Sequence, residues 1–473
     1  MAMQIKNNID SLKVRNTLNK NTKNSQSKLA KLASGMKINS AGDDASGYSI
    51  SERMRVQINA LSQAEQNTQN GSSMLKVAEG AINSTVDILT TMKERAVEAA
   101  NDTNTDADRN VIQKEFDQYI DQITDNAYTN YNNINLLDGS HNYGIKSVAT
   151  VFANDYLSEP DLTNPRKLTD LTDKNGENLG ILASDRITIS VVQDGKTYSK
   201  TYDVVDNTLA EIIAGNQKIH NADGTLRDVF KDEIEKDGFM GGISFWDSQK
   251  YYGYDGFDNK VAPPSGKKTT VISVGIDTAP TPAGDEPPIY HEDDRGLNHQ
   301  LGGITISITD RYGNARTSAN AKLNQFHEVI RAQNASPDNA LNLQVGTKAG
   351  QTIRIGLTDM RAYALALQGK DGKTISISTQ LDANASIEVL DNALSKALDQ
   401  QTAIGAAQSR LEYTYSNLLT ARTNVQSAES VIRDADMAKE MTDFTKENIL
   451  SQTAQSMLAQ SNQSTSNVLS LLQ

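Results

Sequence analysis

The sequence predicts a mainly α-helical protein: an elongated antiparallel coiled-coil rod formed by both chain ends, with a β-rich α+β insert in the middle. All nine prolines lie between Pro160 and Pro337, and proline breaks a helix because it lacks an N–H and clashes with the preceding turn. The flanks, 1–159 and 338–473, instead carry apolar residues at helical spacing. This arrangement favours a rod with the insert at its far end, which is typical of a building block rather than an enzyme.

Composition excludes several classes of function. Of the 473 residues, 37% are hydrophobic and 5% are aromatic, which is low for a compact enzyme but suits long helices with much surface. The net charge of −13 argues against nucleic acid or an anionic membrane as partner, because both require a positive face. The absence of cysteine excludes disulfides, thiolate metal sites and cysteine nucleophiles. No apolar run resembles a signal peptide or a membrane span, so export would need a route without a cleaved signal.

The C-terminal flank carries a seven-residue repeat of apolar residues. It runs unbroken from Leu390 to Ile432, and a second line of mostly small residues follows three positions later. A sustained heptad keeps one seam facing a partner helix, and the N-terminal flank alternates steps of three and four between Leu75 and Ala99. Ordinary amphipathic helices of a globular bundle are the alternative, which the length of the unbroken repeat disfavours. The predicted rod core is Leu75, Ile82, Leu89, Leu390, Ile404, Leu411, Leu418, Val425 and Ile432.

Two further elements are predicted in the N-terminal flank. A helix over 44–70 begins at Asp43 or Asp44, whose carboxylate accepts from the free N–H groups of the first turn. It is expected to stop at Asn70-Gly71, since these residues favour the conformation that ends helices. A shorter helix is predicted over 105–127.

The middle of the chain, 140–340, changes to β-strand patterns. Arg186–Val192 and Lys196–Val204 alternate polar and apolar residues on either side of Asp194-Gly195. Glycine tolerates the positive φ of a tight turn, so this segment predicts a β-hairpin. The other predicted elements are strands at Thr269–Ile276 and Ile304–Asp310, a helix at 318–334, and an exposed proline-rich loop at Thr278–Pro288.

The extreme ends carry sparse apolar stripes without a core of their own. The last 26 residues, after Glu447, carry no charge, yet their Ser, Gln, Asn and Thr make them too polar for a membrane helix. Isolated helices of this quality are marginal in water, so we expect both tails to be largely disordered in the single chain and to fold when they meet in an assembly. The residues expected to drive polymerisation are Ile5, Ile9, Leu12, Leu18, Leu29, Leu32, Met437, Met441, Phe444, Met457, Leu458, Val468, Leu469, Leu471 and Leu472.

Several segments closely resemble bacterial flagellins. Residues 32–54, LASGMKINSAGDDASGYSISERM, are similar to the N-terminal signature of that family. The chain also resembles flagellins at 96–101, 131–139 and 343–353, and its ending at 458–472 is similar nearly residue for residue. The resemblance covers about 1–139 and 341–473, and the insert falls where flagellins vary most.

The resemblance implies a structural subunit that polymerises into the extracellular flagellar filament for motility and is exported unfolded through the type III apparatus. The implied partners are further copies of the chain, an export chaperone, the filament cap and hook-junction proteins. The implied divisions are an N-terminal inner-tube helix and connecting loop at 1–43, the N-terminal half of the rod at 44–139, a variable surface-exposed insert at 140–340, the C-terminal half of the rod (a β-hairpin, then a long helix) at 341–435, and a C-terminal inner-tube helix at 436–473.

One departure from the family pattern concerns innate recognition. Flagellins detected by the innate flagellin-sensing Toll-like receptor carry a glutamine-arginine pair followed by a leucine, where this chain has Thr90, Thr91 and Arg95. Glu94 and Glu115 agree with the pattern. Because a multidentate arginine donor is lost and a charge replaces an apolar contact, we expect weak receptor activation.

The alternatives are a flagellin with an enzymatic insert, a hook–filament junction protein and an unrelated coiled-coil adhesin. A zinc peptidase places two histidines four apart on one helix face, but the position four residues after His327 is Arg331. The acidic segment His291–Asp294 with His299 reads as a solvated loop rather than a metal site. The near-complete C-terminal match favours the filament subunit over the junction protein, and an adhesin would need an anchor. We therefore expect no enzymatic activity, no cofactor and no metal.

Overall fold

The computed structural model of the chain divides into two compact units. The terminal unit comprises Met1–Asn70, Gln344–Thr352 and Leu411–Gln473, and the central unit comprises Gly71–Leu343 and Ile353–Arg410. The structure describes residues 9–148, 150–154, 156–157, 167–204, 296–297 and 300–470, the last without the side chains of 465 and 467–470, and the backbone of six short strands within 218–274.

Helices dominate the two flanks of the chain, as predicted. The flanks contain α1 (Ile9–Ser34), α2 (Ala45–Ala99), α3 (Asp106–Ala127), α5 (Gln380–Arg433) and α6 (Met437–Ser470), and the short α4 (Thr317–Leu323) lies in the middle of the chain. The predicted mainly helical fold with a β-containing insert is therefore confirmed.

Most of the strands lie in the middle of the chain. Their bounds are β1 (Asn130–Tyr131), β2 (Ile134–Asn135), β3 (Val151–Asn154), β4 (Arg186–Gln193), β5 (Lys196–Asp203), β6 (Lys218–His220), β7 (Leu226–Asp228), β8 (Ile243–Asp247), β9 (Gly253–Tyr254), β10 (Lys260–Val261), β11 (Thr270–Val274), β12 (Leu301–Thr309), β13 (Phe326–Ile330), β14 (Leu341–Gln344) and β15 (Thr352–Ile355). A four-stranded sheet has the order β13-β3-β11-β8 and a three-stranded sheet the order β12-β4-β5, while β1-β2, β6-β7, β9-β10 and β14-β15 form two-stranded sheets.

The long helices α2 and α5 pair in antiparallel fashion within the central unit. The Gln408 side chain donates to Glu79 at 2.8 Å, the Gln401 side chain donates to Asn83 at 2.6 Å, and the Lys93 ammonium bonds Asp391. As the residue number rises along α2, the number of its partner on α5 therefore falls. This is the pairing that the heptad repeat predicts.

The predicted stop of the first long helix at Asn70-Gly71 is wrong, because α2 continues to Ala99. A side chain at Gly71 would meet Leu343 Cδ1 at 2.4 Å. Gly71 therefore gives Leu343 room to pack against the helix, which a C-cap pattern in the sequence does not reveal.

The predicted hairpin is confirmed. All eight residue pairs of β4 and β5 are in register, from Arg186–Asp203 to Gln193–Lys196. Asp194 and Gly195 have φ values of 51° and 72°, the positive values that a two-residue hairpin turn requires. The strands predicted at 269–276 and 304–310 correspond to β11 and β12, and the loop predicted at 278–288 lies outside the described residues.

The predicted helix at 318–334 is wrong beyond Leu323, where α4 ends. The side chain of Asn324 bonds both backbone groups of Ile306, accepting from its N–H at 2.6 Å and donating to its carbonyl at 2.8 Å. The chain then forms β13, which pairs with β3 from Phe326 onwards. Contacts with distant strands have here overridden a local helical pattern.

A hydrophobic core in the central unit joins residues of the three-stranded sheet, of strands β3 and β13 and of helix α4. Phe152, Ile187, Ile304, Leu323 and Phe326 belong to this cluster and are buried. No helix in the described part of the chain combines the length and the apolar character needed to cross a membrane.

Candidate assembly surface

The terminal helices α1 and α6 pack against each other through polar side chains. The Lys28 ammonium lies 2.9 Å from both Glu440 and Asp443. These bonds raise the pKa of Lys28 and lower the pKa of Asp443, so both groups are charged at neutral pH. Side-chain hydrogen bonds continue this contact along the two helices in antiparallel order, through the pairs Ser25–Asn448, Thr22–Ser451 and Ser11–Asn462.

Six of the apolar residues predicted to drive polymerisation are exposed on this helix pair. No residue of α1 is buried, and the exposed fractions of the six run from 44% to 55%. Covering exposed apolar side chains removes their surface from water, which favours association. These residues are Ile9, Leu12, Leu29, Met437, Met441 and Met457.

The other predicted polymerisation residues are distributed differently. Leu18, Leu32, Phe444 and Leu458 are half-buried. Ile5, Leu471 and Leu472 lie outside the described residues, as do the side chains of Val468 and Leu469. Because the structure shows both tails as helices, their disorder in a single chain and their ordering on assembly stay predictions.

Two exposed apolar residues of α6 escaped the sequence reasoning. Ile449 is 58% exposed and Leu450 is 40% exposed, and both line a shallow groove that also includes Met441. Ile449 follows Met441 by eight residues, a spacing that is typical of one helix face. A helical projection that included isoleucine with the methionines would have found Ile449.

The predicted rod core separates into two classes. In the central unit, Leu75, Ile82, Leu89, Leu390 and Ile404 are fully buried. In the terminal unit, Leu411 is fully buried, whereas Leu418, Val425 and Ile432 are only half-buried. One uniform heptad line therefore ends with side chains that the terminal unit does not cover.

The residues at the innate-receptor positions make hydrogen bonds and ion pairs within their own chain. The hydroxyls of Thr90 and Thr91 donate to carbonyls one turn earlier in α2. Arg95 lies 2.9 Å from Glu98 and 3.5 Å from Glu115. The exposed Glu94 accompanies them on α2. Arg95 therefore meets acidic side chains of its own chain where the family pattern places an apolar residue.

The residues considered for metal binding serve other roles where they are described. His327 lies in strand β13 rather than on a helix. Arg331 donates to Glu328 at 3.1 Å and to Asp399 at 2.6 Å. Within the described ranges, no three His, Asp or Glu side chains are arranged to hold a metal ion. The segment 291–294 and His299 lie outside those ranges.

Both flanks of the chain match models of known families. The model of the bacterial flagellin N-terminal helical region matches residues 5–142, and that of the C-terminal helical region matches residues 387–472. A flagellin of Clostridium tyrobutyricum is 31% identical over 464 residues, which cover 98% of this chain and 100% of that protein. A flagellin of Bacillus subtilis (strain 168) is 27% identical over 489 residues, which cover 99% of this chain and 100% of that protein.

Solved structures resemble the chain more distantly. The flagellar junction protein FlgL from Legionella pneumophila has 12% sequence identity and a TM-score of 0.30, covering 82% of this chain and 100% of that chain. With so low a TM-score, this likeness supports no conclusion about fold or function.

Proposed function

This chain belongs to the bacterial flagellin family and is a structural subunit of the flagellar filament, and we propose that its paired terminal helices make the contacts that join subunits. This proposal rests on the observation that α1 and α6 pack against each other and still leave apolar side chains exposed. Their mutual contact includes polar bonds such as Lys28–Asp443, while large apolar side chains such as Leu29 and Met441 stay exposed.

A second copy of the chain is the occupant that suits this surface. Burial of apolar area is worth roughly 25 cal/mol per Å², so several half-exposed Leu, Ile and Met side chains supply a substantial driving force. A contact between two different patches that does not close on itself generates an open helical polymer. The half-buried Leu418, Val425 and Ile432 extend the same proposal to the terminal part of α5.

Removal of residues 440–473 tests the proposal. The truncated protein keeps α2, α3 and α5 and is expected to be a folded, soluble monomer by circular dichroism and ultracentrifugation. Electron microscopy after seeding with filament fragments should show long filaments for the full chain and none for the truncated one. Filaments grown from the truncated protein would contradict the proposal.

A matched pair of point variants tests the apolar face itself. Met457→Lys adds a charge at an apolar residue that is 55% exposed, and Gln455→Lys adds the same charge at an exposed polar residue two positions earlier. We expect seeded elongation to fall strongly for Met457→Lys and to change little for Gln455→Lys. Equal elongation rates for the two variants would refute the assignment of this face.

We also propose that α6 meets the export chaperone, the filament cap and the hook-junction proteins, because its apolar residues need cover until subunits join. The truncated protein should then fail to bind the chaperone in a pull-down that retains the full chain. Retention of the truncated protein would refute a chaperone site on α6.

Filaments lie outside the cell, and we propose export through the flagellar type III apparatus without cleavage of a signal. No disulfide can lock a chain that lacks cysteine. Mass spectrometry of filament subunits should find the N-terminal segment intact, and a subunit shortened by a signal-length segment would contradict this.

For innate recognition we propose weak receptor activation, because Arg95 pairs with Glu98 and Glu115 and a threonine replaces the arginine donor. The combined variant Thr90→Gln, Thr91→Arg and Arg95→Leu restores the family pattern and should raise the signal of a receptor reporter assay. Wild-type potency equal to that of an enterobacterial flagellin would refute this.

A further inference from the structure

The two connectors that join the terminal helices to the long helices are paired with each other. The backbone N–H of Lys37 donates to the carbonyl of Arg433 at 2.6 Å, and the N–H of Ala435 donates to the carbonyl of Gly35 at 2.9 Å. Gly35 has a φ of 71°, where an L side chain would be strained. Within the terminal unit, the α1–α2 and α5–α6 connectors therefore form one short ladder rather than two independent loops. We call this paired segment the crossing.

The side chain of Arg433, the last residue of α5, lies at the centre of this crossing and is 5% exposed. Its Nη1 donates to Glu52 at 2.6 Å and approaches the hydroxyl of Ser51 at 3.5 Å. Its Nε lies 3.1 Å from the sulfur of Met36, and its guanidinium lies 5.4 Å from the ring centre of Tyr48. One guanidinium thus contacts both α2 and the α1–α2 connector.

We propose that Arg433 is a positioning residue for filament assembly, which fixes the direction in which α1 and α6 leave the long helices and thereby the helical geometry of the filament. This inference rests on the proposed role of the terminal helices in joining subunits. Only arginine offers a rigid planar fork of donors that also stacks on an aromatic ring. The bond from Arg433 lowers the pKa of Glu52, so the pair stays ionic at neutral pH.

The chain offers a matched control on the same helix. Arg422 also joins α5 to α2 within the terminal unit, with its Nε 3.1 Å from Glu65, but it lies about three helical turns before the crossing. The test compares Arg433→Met, Arg433→Lys, Glu52→Gln and Arg422→Met with the wild-type chain. Circular dichroism checks folding, seeded growth gives the elongation rate, and electron microscopy gives subunit twist and rise. Hydrogen exchange of peptides covering 35–44 and 433–440 in the filaments reports the connector ladder directly.

Arg433→Met is expected to keep the helical content of Arg422→Met but to elongate more slowly or to form filaments with altered twist. Its connector amides should exchange about tenfold faster, as expected when a hydrogen-bonded charge pair is lost. The elongation rate, twist and amide exchange of Arg433→Lys should fall between those of Arg433→Met and the wild type, because a single ammonium group replaces the planar fork of donors. Glu52→Gln should shift twist and exchange in the same direction as Arg433→Met, and it carries the test if Arg433→Met does not fold, since Glu52 is 38% exposed.

Wild-type twist, elongation and exchange in Arg433→Met and Glu52→Gln would overturn the inference. An equal effect of Arg422→Met would also overturn it, because the crossing would then have no special role. Failure of the wild-type chain to elongate seeds would instead refute the proposed function, so the two failures are distinguishable.

Discussion

Replacing Leu390 by alanine should destabilise the folded subunit about twice as much as replacing Leu418, a leucine of the same heptad line. Leu390 and Leu418 occupy the same line of α5, but Leu390 is fully buried and Leu418 is half-buried. Replacing a fully buried leucine by alanine lowers the free energy of unfolding by roughly 3–5 kcal/mol, because transfer and cavity terms add. About half of that loss is expected at Leu418, where less apolar area leaves water.

Urea unfolding of the monomer, followed by circular dichroism at 222 nm, measures both losses. With a slope of about 3 kcal/mol per M, Leu390→Ala should lower the midpoint by roughly 1 M and Leu418→Ala by about half as much. Val111→Ala, at an exposed position of α3, is the control and should change the free energy by less than about 0.5 kcal/mol. Seeded elongation should reverse the order, because we propose that a neighbouring subunit covers Leu418. Equal midpoint shifts for the two leucines would refute the reasoning.

Three further predictions concern individual polar groups. Burial beside β12 raises the pKa of Glu388 from 4.5 to about 8. Between these two pH values the folded chain holds a proton that the unfolded chain has lost. The contribution of Glu388 to stability therefore falls as pH rises from about 4.5 to 8. Thermal unfolding between pH 5 and pH 9 should show that Glu388→Gln flattens this slope while the exposed control Glu412→Gln preserves it; an unchanged slope in Glu388→Gln would contradict the assignment. Lys396→Met leaves the carbonyl of Ala364 without its donor, now at 2.7 Å, and should lower the free energy of unfolding in urea by about 1–3 kcal/mol; no loss would show that the bond contributes nothing. Thr105→Ala removes the N-cap of α3 and should cost about 1 kcal/mol in the same assay, whereas an unchanged midpoint would show that the cap is dispensable.

Periodic and local features of the chain were readable from the residues alone. The heptads from Leu390 onwards predicted a long helix with a partner, since every seventh residue faces the same seam. Asp194-Gly195 predicted a hairpin turn, since positive φ is a property of the residues themselves. The sparse apolar stripes of the tails predicted surfaces in need of a partner, and six of those residues are exposed on α1 and α6.

Sequence alone thus determined the long heptad helix and the hairpin, because backbone preference and apolar period act over a few neighbouring residues. Only the tertiary structure decided that α2 passes through Gly71, that the chain leaves its helix at Asn324, and that the heptad line loses cover after Leu411. It also decided that Arg433 meets Glu52, a residue 381 positions away in the sequence. Each of these features depends on which side chain of a distant segment packs against the residue, and no local sequence pattern contains that information.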